Sequence, residues 1–208
     1  MSQLRARLLQ HSPQVPGEVL LVSPEAVTNR LRPVLHFAYE TSISINFWWM
    51  RSAHDAASNG LADQALTARL ARSAQEISRP DLHNLIRGRR ARIRSTLLNQ
   101  ITLPVIGSFY VHDILFMARL HPLRTAERLT DTEIDGLFDA MHDGLEPAIE
   151  KGSADPEVDV SREKGKFGAD DMLSVYREGE PCPACGTAIQ KTKTGSASSL
   201  ICSQCQPL

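Results

Sequence analysis

The clearest pattern of apolar and polar positions lies in the second half of the chain. Ile134, Leu137, Phe138, Met141 and Leu145 recur every three or four residues, which predicts a helix with one apolar stripe. Thr130-Asp131-Thr132-Glu133 reads as the capping box that opens it. Upstream, Ser108–Ala118 (SFYVHDILFMA) is apolar almost throughout and predicts a buried helix, broken at Leu120-His121-Pro122-Leu123. Pro104 to Gly107 is a tight connection before it, and the break after it makes two helices joined by a double turn. In RRARIRSTLLNQ, Ile93, Leu97 and Leu98 share one helical face. Ser78-Arg79-Pro80-Asp81 starts a shorter helix that Gly88 stops.

The N-terminal third is more mixed. Leu4–Leu9 predicts a short helix, HSPQVPGE a break, and VLLV an apolar run. Ser23-Pro24-Glu25 caps a helix running to about Arg32, which Pro33 ends or kinks. His36–Met50 is aromatic and β-branched, and its alternating TSISIN predicts one or two strands; Ala53–Gln75 is helical in period. At the other end, TAIQKTKTGSASSLI has the make-up of two short strands around a Gly-Ser turn. The expected fold class is α+β: a mainly helical body, a C-terminal β-hairpin and a small mixed N-terminal region. The expected divisions are residues 1–65, 66–150, a flexible linker at 151–174 that is rich in charge, Gly and Ser, and 175–208.

With 208 residues and 42% hydrophobic content, the chain can hold one sizeable core and a small metal module. No apolar run approaches a membrane span and the N-terminus lacks a secretory apolar region, so a cytoplasmic protein is expected, nucleoid-associated if bacterial. The net charge of −1 conceals an asymmetry: residues 1–100 carry thirteen Arg and seven acids, residues 101–208 ten basic and seventeen acidic residues. A polyanion-binding surface must therefore be local. Arg87, Arg89, Arg90, Arg92 and Arg94 place five guanidinium groups within eight residues, either a solvated helix end or a phosphate-contacting surface. Gly107 and Ser108 offer backbone N–H groups at a helix N-terminus, a natural phosphate site. His121 reads as a structural hydrogen-bonding residue. His112-Asp113 only superficially resembles a dyad, because adjacent helical residues point in different directions.

The cysteines are the most specific signal. Cys182/Cys185 and Cys202/Cys205 are two Cys-x-x-Cys pairs sixteen residues apart, a spacing that suits one tetrahedral Zn²⁺. A site of four thiolates is closed, so the metal is expected to be structural, pinning the hairpin.

Three stretches together resemble the C-terminal half of the formamidopyrimidine-DNA glycosylase and endonuclease VIII family: RARIRSTLLNQ, GSFYVHDILFMARLHPLR and VYREGEPCPACG…CSQCQ. The resemblance runs from about Leu66 to the C-terminus and implies a helix–two-turn–helix domain followed by a zinc β-hairpin. It also implies a grip on double-stranded DNA, damaged or abasic, with a base everted into a pocket. Ser108 stands where the family has an Asn that contacts phosphate. Ala197 stands where the hairpin tip carries an Arg; Lys191 and Lys193 lie on the other strand. The family's chemistry belongs to an N-terminal β-sandwich beginning Met-Pro-Glu, whereas this chain begins Met1-Ser2-Gln3 and has no Lys before Lys151.

The leading expectation is a DNA-binding protein without glycosylase catalysis, with no membrane partner. Contacts are expected from Arg87, Arg89, Arg90, Arg92, Arg94, Gly107, Ser108, Lys191 and Lys193. A second reading is a divergent DNA glycosylase or abasic-site lyase using the N-terminal amine of Ser2. A third is a zinc-containing protein-interaction module that no longer binds DNA. The Trp48–Trp49 segment is a candidate surface for a protein partner or a homodimer.

Overall fold

The computed structural model describes strands at residues 17–22, 34–36 and 42–47, and residues 73–208 apart from 156 and 160. Ser2, Trp48–Trp49 and the helices expected at Leu4–Leu9, Ser23–Arg32 and Ala53–Gln75 lie outside the described residues.

Three strands form an N-terminal antiparallel sheet: β1 (Gly17–Val22), β2 (Val34–His36) and β3 (Ser42–Phe47), in the order β1-β3-β2. The VLLV run lies in β1, and the stretch expected to hold one or two strands supplies β3 and the end of β2.

The helical body follows. Helix α1 (Arg79–Ile86) starts at Ser78, whose hydroxyl accepts the Asp81 N–H. It stops where Gly88 adopts φ +74°, a conformation that costs glycine little. Helix α2 is shorter than expected, Ile93–Leu97, because tertiary pairing claims the residues around it. Ile93 N–H donates to the Arg124 carbonyl at 2.8 Å, and Arg92 bridges to Thr125. Helix α3 covers Tyr110–Met117, starting two residues later and ending one earlier than expected. Helix α4 (Asp131–Glu150) opens on the expected capping box: Thr130 Oγ1 accepts from Glu133 N–H, and Glu133 accepts from Thr130 N–H.

Leu82, Ile86, Ile93, Leu97, Leu103, Ile106, Ile114, Ile134, Leu137 and Met141 fill one core between these helices. Burying each is worth about 1.5–3 kcal/mol before conformational entropy is subtracted. α3 and α4 approach closely at Gly144, where an added Cβ would sit 3.1 Å from Ile114 Cγ1.

Residues 151–174 carry little regular structure, yet they are tied to the body. Phe167, Met172 and Val175 pack with Ala148 on α4, and Phe109 and Tyr110 close over them. Lys151 pairs with Asp171, and Ala154 bridges Phe167. The loop closes at Gly165, where an added Cβ would meet the Ser153 carbonyl oxygen at 2.2 Å. The chain ends in an antiparallel hairpin, β4 (Gln190–Lys193) and β5 (Ser198–Ile201). Among the described residues no helix is long and apolar enough to cross a membrane. The architecture is α+β, as the sequence implied.

Candidate metal centre and nucleic-acid interface

Each Cys-x-x-Cys pair sits on a tight turn. Gly186 N–H donates to the Cys182 carbonyl at 2.8 Å and Gln206 N–H to the Cys202 carbonyl at 2.9 Å. Gly186 has φ +77°, which the first turn requires. The four Sγ atoms lie within 4.8 Å of one another, with Cys182–Cys205 at 3.8 Å and Cys185–Cys202 at 3.4 Å. A tetrahedron with Zn–S bonds of about 2.3 Å has edges of about 3.8 Å, so the four sulfurs fit one Zn²⁺. The Thr187 hydroxyl and amide pull the Cys185 thiol below its ordinary pKa, whereas burial pushes Cys202 and Cys205 up. Such crowding of thiols favours a metal that takes them as thiolates.

The metal turns are docked on α3. Phe116 packs against Cys182, Ile189 and Cys202. Gln206, 1% exposed, accepts from Cys202 N–H and donates to the Leu120 carbonyl at 2.9 Å. The neighbours His112 and Asp113 do face different segments. Asp113 accepts from the N–H groups of Leu173 and Ser174 and from the Ser174 hydroxyl, fixing the entry to the hairpin. His112 Nδ1 accepts the Leu200 N–H of β5 at 3.1 Å. His121 Nδ1 accepts the Leu123 N–H within the turn.

The five-arginine cluster does not form one surface. Arg87 pairs with Asp131 on α4 at 2.8 Å, and Arg89 donates to the Leu85 carbonyl. Arg90 lies 4.0 Å from Glu127 with its side chain 91% exposed, and Arg92 is exposed. Arg94 is different: it is only 9% exposed, and its buried Nε has no hydrogen-bond partner among the described residues. Burial lowers its pKa from the ordinary value. An arginine nevertheless stays charged, so this charged side chain has a buried Nε with no partner among the described residues.

Arg94 lies near enough to the first turns of α3 for its charge to act on His112. There the N-terminus of α3 has no side-chain cap, unlike α1 and α4. Gly107 is buried and Ser108 exposed immediately before it. The approach is braced by Gln100, whose side chain accepts from Val105 N–H at 3.1 Å and donates to the Ile106 carbonyl at 2.7 Å. Val105 is held at φ +90°, a region a β-branched residue rarely enters. An aromatic edge lies alongside: Phe109 stacks edge-on with Tyr110 at 5.3 Å and with Tyr176 at 5.8 Å, and Tyr176 is 61% exposed. Lys191 and Lys193 are exposed on β4, Lys191 within 3.7 Å of Glu178.

Helical periodicity marked Phe109 and Tyr110 only as apolar helix positions, and nothing local distinguishes Gln100, Gln206 or Tyr176. Gln206 and Tyr176 act through long-range partners, and Gln100 through a loop that carries no periodic pattern.

The sequence pattern described as the formamidopyrimidine-DNA glycosylase H2TH domain matches residues 53–158, half the chain. The chain belongs to that family. A second pattern, a zinc finger found in FPG and IleRS, matches residues 179–208, and with the cysteine geometry it makes the metal one structural zinc ion. The formamidopyrimidine-DNA glycosylase of Exiguobacterium sibiricum is 42% identical over 125 residues, 59% of this chain and 45% of that protein. That of Thermomicrobium roseum is 37% identical over 130 residues, 61% and 45% of the two chains. The chain thus spans just under half the length of these curated relatives. The Lactococcus lactis Fpg, solved in complex with DNA containing an abasic site, superposes with a TM-score of 0.75 at 20% identity. That overlap covers 92% of this chain and 72% of that one, and it shows a shared fold.

Proposed function

We propose that this family member binds duplex DNA carrying an abasic or damaged site and does so without cleaving the glycosidic bond. The observation that carries the reading is Arg94, a residue 9% exposed whose buried Nε has no hydrogen-bond partner among the described residues and whose charge reaches His112 on α3. A backbone phosphate supplies the missing charge, and the α3 amides after Gly107 and Ser108 supply further donors. Arg89, Arg90, Arg92, Lys191 and Lys193 contribute outer, screened attraction, while Arg87 is held by Asp131. Because Ser108 offers one hydroxyl donor, Arg94 carries more of the grip than any single outer residue.

Absence of catalysis is supported by the residue inventory: no lysine amine occurs before Lys151, and the tip residue Ala197 brings no guanidinium. The interaction-module reading gains little, because Asp131, Asp135 and Asp139 already face Arg79, His83 and Arg87.

The test is a mobility shift on duplex with and without an abasic site across a salt series, with borohydride trapping beside it. Salt-sensitive binding without a covalent adduct is expected. An adduct that disappears when the N-terminal amine is blocked would make the protein a lyase acting through Ser2. Binding that ignores salt would overturn the phosphate reading.

A further inference from the structure

We propose that His112 is a second donor to the phosphate held by Arg94, and that it ties the zinc hairpin to that phosphate; this rests on the DNA-binding reading above. The ring's tautomer follows from its neighbours. A backbone N–H can only donate, so the Leu200 N–H at 3.1 Å requires a bare Nδ1 and leaves the hydrogen on Nε2. No described residue accepts that Nε2–H, and unlike Nε2 of His142 it is not sealed from its surroundings.

His112 lies one helical turn beyond Ser108, on the helix whose first amides are uncapped. The ring is kept neutral: burial, then the Arg94 charge, pushes its pKa down to about 4, with Asp113 opposing them. A neutral imidazole beside an arginine avoids like-charge repulsion yet keeps an N–H donor. One ring therefore touches β5 through Nδ1 and keeps an Nε2–H without a partner among the described residues, on a residue one turn from Ser108 along the same helix face. The same strand is fixed by Phe116 and Gln206 through the cysteine turns, so the zinc hairpin sets where this donor stands. The ligand chemistry this suits is one phosphodiester of the DNA backbone.

The two ring atoms can be separated by substitution in the full, zinc-loaded chain. His112→Asn keeps an acceptor near the Nδ1 position and removes the distal donor; His112→Gln does the reverse. His112→Asn is expected to hold zinc and melt like the wild type, yet to bind abasic duplex about tenfold more weakly, the order of one hydrogen bond to a charged group. Its salt slope should not change, since no charge is lost, whereas Arg94→Gln should lower the slope by about 0.9. His112→Gln should regain part of the affinity.

His112→Asn binding like the wild type would overturn the proposal. So would a loss of affinity that merely tracks lost zinc or a lower melting temperature, because that is a purely structural role. If the wild type itself shows no salt-dependent binding, the DNA reading fails first, and the role of His112 falls with it.

Discussion

On the face between α1 and α4, Arg79, His83 and Arg87 stand at successive helical turns opposite Asp139, Asp135 and Asp131, and Phe138 lies under the Arg79 guanidinium at 4.4 Å. On the face between α2 and α3, Arg94 is more deeply buried than any of those three side chains and has no ion pair with a carboxylate among the described residues. Surface pairs of the first kind contribute little to stability and leave no charge for a partner. A buried unpaired guanidinium is the opposite: it costs the fold and gains only when an anion arrives. One helical body thus keeps a side of paired charges and a side with an unpaired arginine Nε.

The largest break in this comparison comes from the metal. Chelating zinc, or Cys202→Ser, should unfold the hairpin and release the His112 and Gln206 contacts. The α1–α4 face should keep its helical signal, because its ladder touches none of those residues. Structural zinc in small finger peptides contributes about 10–16 kcal/mol, so the hairpin should not survive its loss. Circular dichroism together with zinc release measures this; simultaneous loss of all helicity would show that the faces are not independent.

Next comes Arg94 itself. Arg94→Met should weaken DNA binding by a factor of ten or more and leave stability equal or higher by about 1–3 kcal/mol, because a hydrophobic replacement removes a buried charge. Arg87→Ala should barely move either quantity. Denaturation and binding curves on the two variants test the contrast; equal effects would erase it.

The pH dependence is of similar size. His112 has an ordinary pKa of 6.5, and the fold lowers it to about 4, so the native state favours the neutral ring. That contribution is complete above about pH 6.5 and is lost as pH falls towards 4, by no more than about 3 kcal/mol. Melting temperatures of wild type and His112→Asn should coincide at neutral pH and separate across this window, the wild type falling below the variant as pH drops. Parallel curves would mean that the ring does not titrate there.

The smallest effect belongs to the brace before α3. Val105→Gly should relieve the strain of φ +90°, worth about 1–3 kcal/mol, against about 0.5–1 kcal/mol of added chain entropy. A slightly raised melting temperature is expected, and a lowered one would show that the Val105 side chain, 45% exposed, makes contacts that outweigh the strain.

Much of this was legible in the sequence because its signals are local. The capping box at Thr130 and Glu133, the stop at Gly88, the stripe from Ile134 to Leu145 and the double turn at His121 each depend on residues within one or two turns. The boundary of α2 shifted where a long-range partner intervened, the Arg124 carbonyl claiming Ile93 N–H, and that of α3 where a loop side chain intervened, Gln100 holding Val105 and Ile106 ahead of the helix. Composition marked 151–174 as a linker, since charge and glycine cannot reveal that Phe167 and Met172 pack under Phe109 and Tyr110.

By itself the sequence determined the metal, because thiolate chemistry and Cys-x-x-Cys spacing leave zinc little alternative, and it determined the class of fold through periodicity and caps. It also delivered five arginines as equals. Only the tertiary structure separated them, since whether a guanidinium is paired or exposed, or is buried alone, depends on what distant segments bring to it. Asp131 reaches Arg87 across 44 residues of chain, and among the described residues no carboxylate pairs with Arg94. Charge is a property of the residue, but its availability is a property of the fold.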